Sequence, residues 1–203
     1  EIAINKLFTD VSELGFWDSQ NNRIHSKIEH DSSWNWKVSS DSTDRYGVFA
    51  ISLILAAKLL YEIDLNKYQR RIMSYLQYIK DHVSNFPKST ITYGAFNALV
   101  FARILYNDKS FDSSIDYCIN YIIDKIQLIK DNHDSLFLIG LSSYLEHIDF
   151  RDDLFHYHNN IVEDLLSCQT KNGYFLKKTH DFFSCFFRQA EKICLIQCFS
   201  TVW

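Results

Sequence analysis

A short run of residues returns along the chain, and this return is the strongest constraint on what the chain can fold into. Tyr46-Gly47-Val48-Phe49-Ala50-Ile51 matches Tyr93-Gly94-Ala95-Phe96-Asn97-Ala98, and Asp134-Ser135-Leu136-Phe137-Leu138-Ile139 is a looser third copy. The aligned phenylalanines Phe49, Phe96 and Phe137 stand 47 and then 41 residues apart. A fourth candidate begins at Phe186-Phe187 and runs through AEKICLIQCF. Periods of this length belong to stacked supersecondary units, each too small to bury its own apolar face. Polar residues punctuate the runs, as in Ser40-Asp41-Ser42-Thr43-Asp44 before Arg45-Tyr46-Gly47. The competing explanation is chance likeness among buried helices, which share Leu, Ile and Phe.

The units read as helical. Five glycines and one proline in 203 residues are too few for the turns of an all-β fold. Hydrophobic residues at 47% and aromatic residues at 16% supply a substantial core and exclude disorder. The net charge is −4 and the basic residues are scattered, so the charge neutralisation that drives nucleic-acid binding is missing. The longest apolar run, 47–57, is ended by Lys58 and is too short to span a membrane. Five cysteines (Cys118, Cys168, Cys185, Cys194 and Cys198) without regular spacing read as reduced thiols of a cytoplasmic protein. Cys194 and Cys198 share a helix face downstream of His180 and Cys185, but the spacing fits no familiar zinc pattern. Buried structural cysteines are the expectation, with no metal and no cofactor.

Taken in order, residues 1–15 show helical spacing in Ile4, Leu7, Phe8, Val11 and Leu14, with Gly15 as a C-cap. Residues 16–43 form a long polar loop carrying Trp17, Trp34 and Trp36. Residues 44–61 are apolar on every side, which predicts burial on every side. Residues 65–83 are amphipathic, with Tyr68, Ile72, Tyr75, Leu76 and Ile79 facing in, and Pro87 ends that segment. The alternation continues. Residues 92–106 are apolar, 110–129 amphipathic, 133–147 apolar, 150–168 amphipathic and 182–199 apolar. Leu165 and Leu166 belong to the inward face of 150–168, whereas His156 and His158 are expected on its solvated face. Phe49, Leu53, Ile54, Phe96, Leu99, Ile104, Phe137 and Leu141 are expected in the inner layer.

Buried helices alternating with half-buried ones predict a double-layered, all-α arrangement of antiparallel helical hairpins in a single domain, 1–203. Short connections then place every loop that precedes an inner helix on one rim. The alternation with a site-bearing rim resembles the (α/α) toroid superfamily of six-hairpin glycosidases, polysaccharide lyases, sugar epimerases, terpenoid cyclases and protein prenyltransferases. Locally, Gln169-Thr170-Lys171-Asn172-Gly173-Tyr174-Phe175 is similar to the Gln-x-x-x-Gly-x-Trp/Phe repeat of terpenoid cyclases and to the Asn-Gly-aromatic turns of six-hairpin carbohydrate enzymes. Asp41-Ser42-Thr43-Asp44 departs from the Asp-x-Asp-Asp acid of the cyclases, and no prenyltransferase-type zinc set is recognisable. The chain supplies about four inner helices where such a toroid closes with six, which predicts an open arc or a piece of a longer toroid.

The rim gathers the candidate chemistry. Asp44 and Asp134 occupy equivalent repeat positions, as paired carboxyl groups across a sugar cleft would. His133 is the candidate proton-transfer group beside them. Trp34, Trp36, Tyr46 and Tyr93 offer rings and hydroxyls to a ligand, and Arg45 and Arg188 offer bidentate contacts to an acidic group. The structural alternative is that Asp44, Thr92 and Asp134 are helix N-caps. The expected function is a carbohydrate-acting enzyme of hydrolase, lyase or epimerase type, acting on a small-molecule or oligosaccharide ligand. A non-enzymatic helical-repeat scaffold and a terpenoid cyclase-like protein are the alternatives. The chain opens on Glu1 and stops at Trp203, just after an apolar segment that lacks an outer partner. This predicts an incomplete and inactive piece, with self-association through the last helix.

Overall fold

A computed structural model describes residues 2–13, 15–25, 28–30, 36–38, 44–124 and 135–167. Helix dominates these residues, and short strands occur only near the start. The chain divides into two compact units, Glu1–Ile123 and Asp124–Trp203.

The first unit opens with helix α1, Ile2–Phe8, shorter than the spacing of Val11 and Leu14 predicts. The Asp10 carboxylate caps a 3-10 turn, Val11–Glu13, that follows it. Asp10 Oδ1 accepts the Ser12 N–H at 3.0 Å and the Ser12 hydroxyl at 2.8 Å, a local turn that competes with helix. Gly15 is not a cap but a point of close approach: a Cβ there would lie 1.9 Å from the Thr9 carbonyl oxygen. Phe8 is buried, stacks on Tyr68 at 5.1 Å, and meets Trp17 at 6.1 Å.

Residues 16–43 are not a plain loop. Strand β1, Trp17–Asp18, pairs antiparallel with β2, Arg23–Ile24, in the register Trp17 to Ile24 and Asp18 to Arg23. Strand β3, Ile28–His30, pairs antiparallel with β4, Trp36–Val38. In β1 and β2 the apolar Trp17 and Ile24 are buried while Asp18 and Arg23 are half-exposed, the two-residue alternation of a strand. Strands this short carry too few residues for that alternation to register in a sequence.

Helix α2, Asp44–Tyr61, has the expected bounds. Helix α3, Gln69–His82, follows a 3-10 turn at Asn66–Tyr68; Tyr68 of the turn and Ile72, Tyr75, Leu76 and Ile79 of the helix are buried as expected. The next helix begins earlier than residue 92. It starts as α4, Lys88–Thr90, directly after Pro87, passes through a π turn at Ile91–Ala95, and continues as α5, Phe96–Tyr106. Thr92 is therefore not an N-cap. It sits inside the helix, and its hydroxyl donates to the Lys88 carbonyl at 3.1 Å. Asn107, in the left-handed region at φ 49°, ends α5. Arg103 Nε then donates to Asp112 Oδ1 at 2.8 Å, joining α5 to α6, Asp112–Asp124. Ile115, Cys118, Ile119 and Ile122 form the buried face of α6; Ile126 and Ile129 lie outside the described residues.

The glycines of the repeat mark where elements touch. A Cβ at Gly47 would lie 2.5 Å from both the Ile24 carbonyl oxygen and the Tyr75 hydroxyl. A Cβ at Gly94 would lie 2.9 Å from Val48 Cγ1 and 3.2 Å from the Phe49 nitrogen. The recurring glycine is thus a packing device, which lets β2 and α3 approach α2 and lets the π turn approach α2. Burial of the residues expected in an inner layer is uneven, however. Phe96, Leu99 and Ile54 are buried, whereas Phe49 and Ile104 are half-buried and Leu53 is 43% exposed.

The second unit contains α7, Ser135–His147, and α8, Asp152–Ser167, packed as a hairpin. Phe137, Leu138, Leu141 and Tyr144 on α7 and Leu154, Tyr157 and Ile161 on α8 are its buried residues, with Phe137 and Tyr157 edge-on at 6.4 Å. His156 is exposed as expected. Two expectations for α8 fail. His158 is buried, because its ring meets Ser142 of α7, and Leu166 is 48% exposed because it lies in the last turn. The expected helix 182–199 lies outside the described residues. No helix among those described is long and apolar enough to cross a membrane.

Candidate functional site

The most concentrated polar chemistry beside a cavity is at the β1–β2 hairpin. Asp18 closes β1, and the polar turn residues Ser19 to Asn22 follow, with Asn22 left-handed at φ 51°. Asp18 Oδ1 accepts the backbone N–H of Gln20 at 3.0 Å and of Asn21 at 3.1 Å. Its Oδ2 accepts Asn21 Nδ2 at 2.7 Å and lies 2.9 Å from His25 Nε2. Arg23 Nε stands 3.9 Å from the same oxygen. His25 is only 4% exposed and is fixed through its backbone N–H, which donates to the Phe16 carbonyl at 2.8 Å.

These contacts set the charge. Partial burial works to raise the Asp18 pKa, but it is outweighed by hydrogen bonds from Asn21, His25 and the Asn21 and Gln20 backbone, which hold it at about 2. Asp10 is also held below its ordinary value, chiefly by the Ser12 backbone N–H, then by the Ser19 and Ser12 side chains. Arg71 adds to this, and its guanidinium lies over the Trp17 ring at 5.8 Å. Asp10, Val11, Asp18, Ser19, Gln20 and His25 line a pocket of about 310 Å³. Two ionised carboxylates, an amide, a hydroxyl and an imidazole make it a hydrogen-bonding pocket with one wall fixed by an Asp–His pair. Among the described residues, no group of three or more His, Cys, Asp or Glu side chains is placed to hold a metal ion.

The residues singled out from the sequence lie elsewhere. Asp44 is the first residue of α2, and Arg45 and Tyr46 follow in its first turn, with Arg45 exposed. Tyr93 is the central residue of the π turn, and Trp36 pairs with His30 across β3 and β4. Trp34, His133, Asp134 and Arg188 lie outside the described residues. The packing of Gly94 on Val48 and Phe49 brings together the elements that carry Tyr93 and Tyr46. The pocket residues Asp10, Asp18, Ser19, Gln20 and His25 were missed. The signal that could have found them is the polar run Asp18 to Asn22 between Trp17 and Ile24, the composition of a hairpin turn. Comparison of the chain with protein-family models, with curated proteins and with solved structures finds no match.

Proposed function

We propose that the chain is a carbohydrate-acting enzyme, built from antiparallel helical hairpins in a partial (α/α) toroid, that works at the β1–β2 pocket. The observation that carries this reading is His25, buried and bonded to Asp18 at the wall of a cavity lined by hydroxyl-binding groups. The location supports it too. Strand β2 presses on Gly47 in the first turn of α2, so the pocket neighbours the start of that helix, where the toroid reading expects a site. Asp10 and Asp18 are both held ionised, and glycoside hydrolysis requires one carboxyl group that keeps its proton. Proton transfer therefore falls to His25, with Asp18 as its positioning residue, which favours lyase or epimerase chemistry over hydrolysis.

A second reading has its own support. Asp18 already accepts four hydrogen bonds from its own hairpin, so it stabilises the turn whether or not a reaction occurs. The pocket would then bind a polyol without turning it over. One experiment separates the readings. The purified chain is presented with mono- and oligosaccharides in deuterated water, and binding and deuterium incorporation are both followed. The enzyme reading expects exchange or product formation that falls at least about a hundredfold in His25→Gln, with circular dichroism unchanged. Binding without exchange supports the second reading. Absence of binding at millimolar sugar rejects both.

A further inference from the structure

We propose that Ser142 is an activated nucleophile in the second unit, with His158 as its general base and Asn159 as the residue that positions the base. Ser142 Oγ on α7 lies 2.7 Å from His158 Nε2 on α8, and His158 Nδ1 lies 3.3 Å from Asn159 Oδ1. An amide oxygen accepts and cannot donate, so Nδ1 carries the proton and Nε2 presents its lone pair to the serine hydroxyl. That is the tautomer a base needs. Burial holds the His158 pKa below its ordinary value, more than the Asn159 hydrogen bond raises it, so the neutral ring is favoured. Ser142 is half-buried while His158 is only 7% exposed. The base is thus more deeply buried than the residue that carries the nucleophile. Nucleophile, base and orienting group in hydrogen-bonded series is the arrangement that activates a hydroxyl for acyl transfer.

The substrate class is an activated ester. Ser142 Oγ forms a bond to the acyl carbon as its proton passes to His158 Nε2. The carbon–oxygen bond to the leaving group breaks, and the departing alkoxide takes that proton from His158, leaving an acyl-serine and a neutral imidazole. This site lies wholly in the α7–α8 hairpin and does not depend on the pocket at β1 and β2.

The test treats the full chain with a fluorophosphonate ester at neutral pH and maps the adduct by mass spectrometry. The expected result is a phosphonylated Ser142 and an unmodified Ser143. Labelling should slow a hundredfold or more in His158→Gln and be retained in Asn159→Asp, which keeps an acceptor at Nδ1. Heat-unfolded chain supplies the background rate. Labelling of Ser142 no faster than this background overturns the proposal, as does equal labelling of Ser143. If His158→Gln fails to fold, Asn159→Leu replaces it. Slower labelling with an unchanged melting temperature then supports the proposal, and an unchanged rate overturns it.

Discussion

Helices α2 and α5 carry the two closest copies of the repeated run, and their surroundings differ. Every residue from Phe96 to Ala102 on α5 is buried. On α2, Val48, Ile51 and Leu55 are buried, but Leu53, Leu60 and Tyr61 are exposed. Equal apolarity has therefore not produced equal burial. Helix α5 packs between α2 and α3 and is tied to α6 through Arg103 and Asp112. Helix α2 meets α5 and the π turn on one side and β2 at its first turn. An apolar sequence permits burial on all sides, but which faces the neighbouring elements cover decides how much occurs.

This contrast is open to mutation. Phe96→Ala should cost about 3–5 kcal/mol in urea unfolding, because it opens a cavity at a fully buried position. A loss under about 1 kcal/mol would place α5 at the surface and dissolve the contrast. Substituting the repeat glycines should come next. Gly47→Ala and Gly94→Ala each force an overlap, at a cost of about 1–3 kcal/mol. Gly47 should be the worse of the two, since its Cβ would meet the backbone oxygen of Ile24 at 2.5 Å, whereas Gly94 would meet a movable Val48 methyl at 2.9 Å. The reverse order would mean that the π turn is the more rigid contact.

Asp18 tests the hairpin that flanks α2. Its folded pKa of about 2 lies below the ordinary 3.8, so its stabilising effect is present above about pH 4 and is lost as pH falls towards 2. Asp18→Asn should lower stability by about 1–2 kcal/mol at pH 7, allowing for solvent screening, and by much less near pH 2. A pH-independent difference would show that the carboxylate charge plays no part. Leu53→Ala should have the smallest effect, under about 1 kcal/mol. A loss comparable to that of Phe96→Ala would show that α2 is as enclosed as α5.

Much of the helical layout was legible because it rests on period and punctuation. The bounds of α2 and the inward set Ile72 to Ile79 on α3 follow from spacing alone. The start of α4 did not, because the π turn shifts the phase of the apolar residues that precede Phe96. The candidate site was hidden for another reason. Asp10, Asp18 and His25 converge through hydrogen bonds between a helix end and a two-residue strand, and no periodicity encodes such a meeting. His158 fell on the polar side of α8 by residue type alone. Its burial depends on Ser142, a partner sixteen positions away that only the hairpin identifies.

Cys118 gives the core of the first unit a clock. It lies buried on α6, and loss of solvation pushes its thiol up to about 12. At neutral pH roughly one such thiol in a hundred thousand is ionised, and the thiolate is the form that reacts. Alkylation of Cys118 must therefore wait for α6 to lift from its neighbours. When reclosing outpaces chemistry, the ratio of its alkylation rate to that of a free thiol gives the fraction of time the helix spends open. The chain thus carries its own reporter of local opening, readable by mass spectrometry without any introduced label.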